Sequence, residues 1–204
     1  MFKHYIWDFD GTLYDTYPVI LDGFVAALKE LHQVADRKEV YRTLKAHSSK
    51  ELAHVFQLPF DQLTSVYKDI ESKDPRVPVP FQGAKEILEW VVASGHTNYI
   101  LTHRDTPGTK ELLEKDELLD NFKEIIGSES PFPRKPAPDA IQYLMEKYQM
   151  NPNETVMIGD RNMDILAGNA AGVKTIFFDE DQLLIDVPAT YEVNELLAIR
   201  AINS

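Results

Sequence analysis

Five short, nearly unbroken apolar runs recur along the chain: Tyr5-Ile6-Trp7, Asn98-Tyr99-Ile100-Leu101, Glu124-Ile125-Ile126-Gly127, Thr155-Val156-Met157-Ile158-Gly159 and Thr175-Ile176-Phe177-Phe178. Runs of this length without strict polar alternation are the pattern of strands covered on both faces, as in a parallel sheet. Helical stretches separate the later runs. Ile87, Leu88, Trp90 and Val91 follow Gly83, the turn Ser94-Gly95 closes that stretch, and further helices are expected after Pro107, after Pro138 and from about Met163. Strands alternating with helices predict an α/β fold with a doubly wound parallel sheet, whose ligands bind beyond the carboxyl ends of the strands.

The alternation breaks once. Thr16 is placed to cap a helix with Pro18 in its first turn, and Val19, Phe24, Leu28 and Leu31 continue it at helical spacing. Val40/Leu44, Leu52/Val55/Phe56 and Leu63/Val66/Ile70 then mark three more helical stretches with no strand between them. The segment Asp74-Pro75-Arg76-Val77-Pro78-Val79-Pro80 ends the series, because three prolines forbid a helix. The expected organisation is therefore a core made of residues 1–15 and 80–204, with a helical insertion over residues 16–79.

Composition narrows the function. At 204 residues the chain is long enough for a full core, and its net charge of −12 weighs against a protein that tracks a nucleic-acid backbone, which needs clustered Lys and Arg. An acidic protein can still hold an anionic substrate if a divalent cation reverses the local field. The absence of cysteine rules out disulfides, thiolate metal sites and a cysteine nucleophile. No apolar stretch approaches the ~20 residues needed to span a bilayer, so the expectation is a soluble, cytoplasmic protein with no membrane partner; monomer and homodimer both stay open.

Candidate chemistry sits at the strand ends. Asp8-Phe9-Asp10-Gly11-Thr12 follows the first run, and alternation along a strand sends residues 8 and 10 the same way while Phe9 turns toward the core. Thr102 ends the second run, Lys135 lies in Pro133-Arg134-Lys135-Pro136-Ala137-Pro138, and Asp160 with Asp164 follows the run ending at Gly159. Each has a plainer reading: a solvated turn for the two aspartates, a β-branched strand residue for Thr102, a surface lysine, and an N-terminal helix cap for Asp164.

Taken in order, these motifs resemble the haloacid dehalogenase superfamily from about residue 4 to residue 178: D-x-D-G-T is complete at Asp8 to Thr12, the strand-end hydroxyl is Thr102, the lysine is Lys135, and G-D-x-x-x-D is Gly159 to Asp164. The helical insertion resembles the small cap of the phosphoglycolate phosphatase-like and β-phosphoglucomutase-like branch. The resemblance implies a Rossmann-like core with an all-helical cap, and a Mg²⁺-dependent phosphatase hydrolysing small phosphorylated metabolites through an aspartyl-phosphate on Asp8. A carboxylate is ionised at neutral pH and needs no partner base to attack phosphorus. Asp10 would protonate the leaving alkoxide and later activate water. It also favours phosphate esters, because the dehalogenase and phosphonate-cleaving branches lack that second acid. Thr102 and Lys135 would hold charge on the transferring oxygens. Gly11 and Thr12 would offer turn amides, and His103 and Arg104, where the family often carries Asn and Lys, would contact the substrate anion. The implied metal set is Asp8, Asp160, Asp164 and the main-chain carbonyl of Asp10.

Two rival functions share this pattern: a phosphomutase of the β-phosphoglucomutase type, and a non-catalytic binding or regulatory protein on the same scaffold. Outside the motifs, Arg42, Lys45, His47 and Lys50 are expected mainly to face solvent, with a substrate contact as the alternative. Trp90, Phe24 and Phe56 read as core, Tyr14 and Phe81 as cleft residues, and Asp179-Glu180-Asp181 as a solvated loop.

Overall fold

The computed structural model describes residues 1–184 and 186–202. In chain order the elements are β1 (His4–Trp7), β2 (Tyr14–Asp15), α1 (Tyr17–Glu30), α2 (Arg37–Ala46), α3 (Ser49–Val55), α4 (Phe60–Glu71), β3 (Val79–Pro80), α5 (Ala84–Ala93), β4 (Thr97–Leu101), α6 (Thr106–Lys115), β5 (Phe122–Ile126), α7 (Asp139–Lys147), β6 (Thr155–Gly159), α8 (Asn162–Ala171), β7 (Lys174–Phe178), β8 (Tyr191–Val193) and α9 (Ile199–Ile202). They group into two compact units, Met1–Asp15 with Pro80–Ser204, and Thr16–Val79.

The first unit is built on a six-stranded sheet in the order β5-β4-β1-β6-β7-β8, and every neighbouring pair is parallel. Side-chain alternation divides its apolar residues between two layers. Tyr5, Trp7, Ile100, Val156, Ile158, Ile176 and Phe178 pack with Ala84, Ile87, Leu88 and Val91 of α5 and Leu113 of α6. Ile6, Tyr99, Leu101 and Met157 pack on the opposite face with Ala140, Ile141 and Leu144 of α7 and Ala167 of α8. This is the doubly wound core that the strand–helix alternation predicts. Burying Trp7 requires a partner for its N–H, and Nε1 donates to Asn98 Oδ1 at 2.9 Å. The Asn98 amide is satisfied in turn by the carbonyls of Leu88 and Asn121 at 3.1 and 3.3 Å.

Beyond the fifth apolar run the structure adds what the pattern did not show. Strand β8 extends the sheet edge, and Leu196 and Ile199 complete the apolar layer around α5. The acidic tripeptide is only partly a solvated loop: Asp179 is buried and its Oδ1 accepts from the amide of Leu183 at 3.2 Å.

The second unit packs α1–α4 around Tyr17, Leu21, Phe24, Leu28, Val40, Leu44, Leu52 and Leu63. Asp36 and Ser48 cap α2 and α3, accepting from the amides of Glu39 and Glu51 at 2.9 and 3.2 Å. Thr16 occupies the cap position of α1 without making a side-chain cap bond. Gly23 lies against Tyr67, where a Cβ would stand 2.9 Å from the ring, and this close approach lets Phe24 stack on Tyr67 with ring centroids 4.0 Å apart. Arg42, His47 and Lys50 are exposed as expected. Lys45 is not: it is buried, its ammonium 5.2 and 5.8 Å from the ring centres of Tyr17 and Tyr41. Two tyrosines, Tyr17 from α1 and Tyr41 from α2, can cover a lysine stem and hold its charge over their π-faces.

Candidate active site

The central position of β1 dictates the site. Because β4 flanks it on one side and β6 on the other, the residues just past the three strand ends are Asp8, Thr102 and Asp160, all at the carboxyl edge of the sheet. The edge is kept in register by the amide of Asp8 donating to the Ile158 carbonyl at 2.8 Å and that of Thr102 to the Ile126 carbonyl at 3.0 Å. Helix α8 begins directly after Asp160 and brings Asp164 back in its first turn, where the carboxylate accepts from the Arg161 amide at 3.0 Å. Asp164 therefore does serve its helix N-terminus, and it faces the other acids as well. Gly159 makes room for it, since a Cβ there would collide with the Asp164 side chain.

Lys135 closes the cluster. Its Nζ lies 2.7 Å from Asp8 Oδ1, 2.7 Å from Asp164 Oδ1 and 2.9 Å from the carbonyl of Leu101. Nζ donates to Asp8 Oδ1 and to the Leu101 carbonyl and meets Asp164 Oδ1 as an ion pair, so one of its three donors is left for a ligand. Burial opposes the charge on Lys135, yet the Asp164 and Asp8 carboxylates outweigh it, so its pKa lies above the usual lysine value. Burial, together with the charge of Asp8, pushes the Asp164 carboxyl upward in spite of Lys135. Lys135 is thus no surface lysine but the counter-charge of the cluster.

One ammonium does not balance three carboxylates. Oxygen atoms of Asp8, Asp160 and Asp164, all buried, lie within 4.8 Å of one another. Asp8 Oδ2 has no hydrogen-bond partner among the described residues, although it is shielded from solvent. An all-oxygen, net-negative donor set with an unsatisfied buried carboxylate oxygen fits a hard divalent cation.

The family profile for haloacid dehalogenase-like hydrolases matches residues 5–178. The chain belongs to that family. A phosphoglycolate phosphatase of Pseudomonas putida is 24% identical over 84% of this chain and 67% of its own. A hydrolase of Streptococcus pneumoniae TIGR4, known by crystal structure, is 35% identical and superposes with a TM-score of 0.61 over 85% of this chain and 91% of its own. A haloacid dehalogenase-like protein of S. pneumoniae, at 22% identity, shares the fold with a TM-score of 0.83 over 100% of this chain and 99% of its own.

Within this haloacid dehalogenase site the remaining sequence candidates fall in different places. Thr102 is buried, and its Oγ1 accepts from the Arg104 amide at 3.0 Å, which leaves the hydroxyl proton to be donated elsewhere. Asp10 does not join the acidic cluster; its carboxylate pairs with Arg104, Nη2 to Oδ1 at 2.8 Å, with both side chains about one-fifth exposed. Arg104, expected on the substrate, is on Asp10 instead. His103 is held neutral: burial, then the positive charges of Lys135, Arg161 and Arg134, lower its pKa to about 2. It is therefore no cationic anion contact.

The turn amides also differ from expectation. Gly11, at φ 81°, donates its N–H to the Tyr14 carbonyl at 2.8 Å, and the Thr12 amide points back to the Phe9 carbonyl at 3.3 Å. The Thr12 hydroxyl goes to Asp160 Oδ1 at 3.3 Å. Both residues build the loop and do not present donors to a ligand. The amides of Phe9 and Asp10, also in the turn after Asp8, make no hydrogen bond among the described residues and are the donors this turn has to offer. Tyr14 is not a cleft residue: it is fully buried, stacks on Phe9 at 4.5 Å, and donates its hydroxyl to Asp116 at 2.9 Å. Phe81 packs against the core, edge-on to Phe178.

Proposed function

We propose that this protein is a Mg²⁺-dependent phosphatase of small phosphorylated metabolites, with Asp8 as the nucleophile. Family membership and the phosphatase relatives support hydrolysis of phosphoric monoesters. The observation that carries the mechanism is the convergence of Asp8, Asp160 and Asp164 around Lys135 at the end of the central strand. Asp8 keeps one oxygen on Lys135, which fixes the carboxylate, and its other oxygen makes no hydrogen bond, which leaves it a position from which to attack. Asp8, Asp160 and Asp164 would hold the cation, which supplies positive charge where a carboxylate and a phosphate must approach each other.

The protein's own groups do the rest. Thr102 donates its hydroxyl and Lys135 its ammonium toward the transferring oxygens, while the amides of Phe9 and Asp10 add donors that need no reorganisation. Attack by Asp8 breaks the ester P–O bond and forms an acyl phosphate; Asp10 gives the departing alkoxide a proton and then takes one from the water that cleaves the acyl phosphate. Following inorganic phosphate from a panel of sugar phosphates, carboxylated phosphates and nucleotides, with and without Mg²⁺, tests the reading. Silence across the panel with the metal present would defeat it.

A further inference from the structure

The acid that this mechanism needs is already engaged. Arg104 Nη2 donates to Asp10 Oδ1 at 2.8 Å, and Nε lies 3.1 and 3.3 Å from the two carboxylate oxygens. Among the described residues no other group hydrogen-bonds that carboxylate. The same guanidinium lies 5.9 Å from the centre of the Phe9 ring, and the Arg104 amide is bound to Thr102 Oγ1 at 3.0 Å. One residue thus touches the second aspartate, the residue between the two aspartates, and the hydroxyl that ends β4.

An oxygen inside a guanidinium fork is an acceptor and has no proton to hand to an alkoxide. The fork must open during turnover. Its surroundings allow this, because the pair is partly in solvent and opening it strands no charge in a dry interior, unlike the Lys135 pairs with side chains at most 1% exposed. Arginine matches phosphate as well as carboxylate, so an incoming phosphate ester can replace Asp10 on the fork, and the freed carboxylate takes from solvent the proton that it hands to the alkoxide.

We propose that Arg104 is a positioning residue that latches Asp10 in the substrate-free protein and yields it to the leaving-group oxygen when a phosphate ester claims the guanidinium. The proposal rests on the phosphatase reading above. A double-mutant cycle on phosphate binding separates a latch from a plain contact. With Mg²⁺ present, Asp10→Asn, which frees the guanidinium, should tighten the binding of inorganic phosphate about threefold or more in titration calorimetry, whereas Arg104→Gln should weaken it. In the Arg104→Gln background the Asp10→Asn change should bring no gain; Arg104→Lys, which keeps charge but not the fork, serves if the Gln variant folds poorly. No gain from Asp10→Asn, or a gain that persists without the guanidinium, would overturn the latch. A wild-type protein that binds phosphate but releases no p-nitrophenolate from p-nitrophenyl phosphate with Mg²⁺ would instead fail the phosphatase reading beneath it.

Discussion

Asp8 and Asp10 leave the same strand two residues apart, and their surroundings could hardly differ more. Asp8 is 1% exposed and bonded to a lysine that is itself sealed in; Asp10 is about one-fifth exposed and paired with an arginine at the solvent edge. In the proposed mechanism identical side chains would receive different work from position alone. A nucleophile gains from being immobile, since attack requires a fixed line of approach. A group that must give and then take a proton gains from being able to move.

The sharpest way to break that contrast is Asp8→Asn, which should lower turnover by at least about 10⁴-fold, because an amide offers no comparable nucleophile. If phosphate release continued at near-normal rate, the two aspartates would not be divided as described. Asp10→Asn should reduce kcat by about 10²–10⁴-fold yet shift unfolding free energy by no more than about 1 kcal/mol, as expected for a partly solvated pair. Equal stability losses in both variants on urea titration would erase the distinction between buried and open neighbourhoods.

Lys135→Met sharpens it from the other side. Removing the ammonium that sits among these buried acids should destabilise the metal-free protein by about 3–5 kcal/mol, and excess Mg²⁺ should restore part of the loss if the acids share a cation. A smaller effect is expected at His103, whose pKa is lowered from 6.5 to about 2. The folded protein excludes a proton that the unfolded chain accepts below pH 6.5, so stability should fall with acidity by about 1.4 kcal/mol per pH unit, or about 2 kcal/mol at pH 5. His103→Asn should flatten this limb, as read from chemical denaturation between pH 7 and pH 5.

Apolar periodicity made the sheet legible because β1, β4, β6 and β7 are buried on both faces and must be apolar at almost every position. It failed at β8, where Tyr191 and Glu192 are exposed and only Val193 faces the core. Spacing likewise located the acidic cluster, since strand ends in a parallel sheet share one edge. It cannot say which donors inside a turn are already satisfied: the loop itself takes up the amides of Gly11 and Thr12 and leaves those of Phe9 and Asp10. Tyr14 misled for a related reason: a polar tip beside a catalytic loop looks like a cleft residue until its hydroxyl is found on Asp116.

The placement of β1 between β4 and β6 bears on how the molecule comes into being. Asp8 leaves the ribosome roughly 150 residues ahead of Asp164, about ten to thirty seconds at ordinary rates of synthesis. Until then the nascent chain has β1 with no β6 to lie against and Asp8 without the full set of groups that surround it. A chain released before α8 would thus carry the first acidic motif and not the cluster it belongs to.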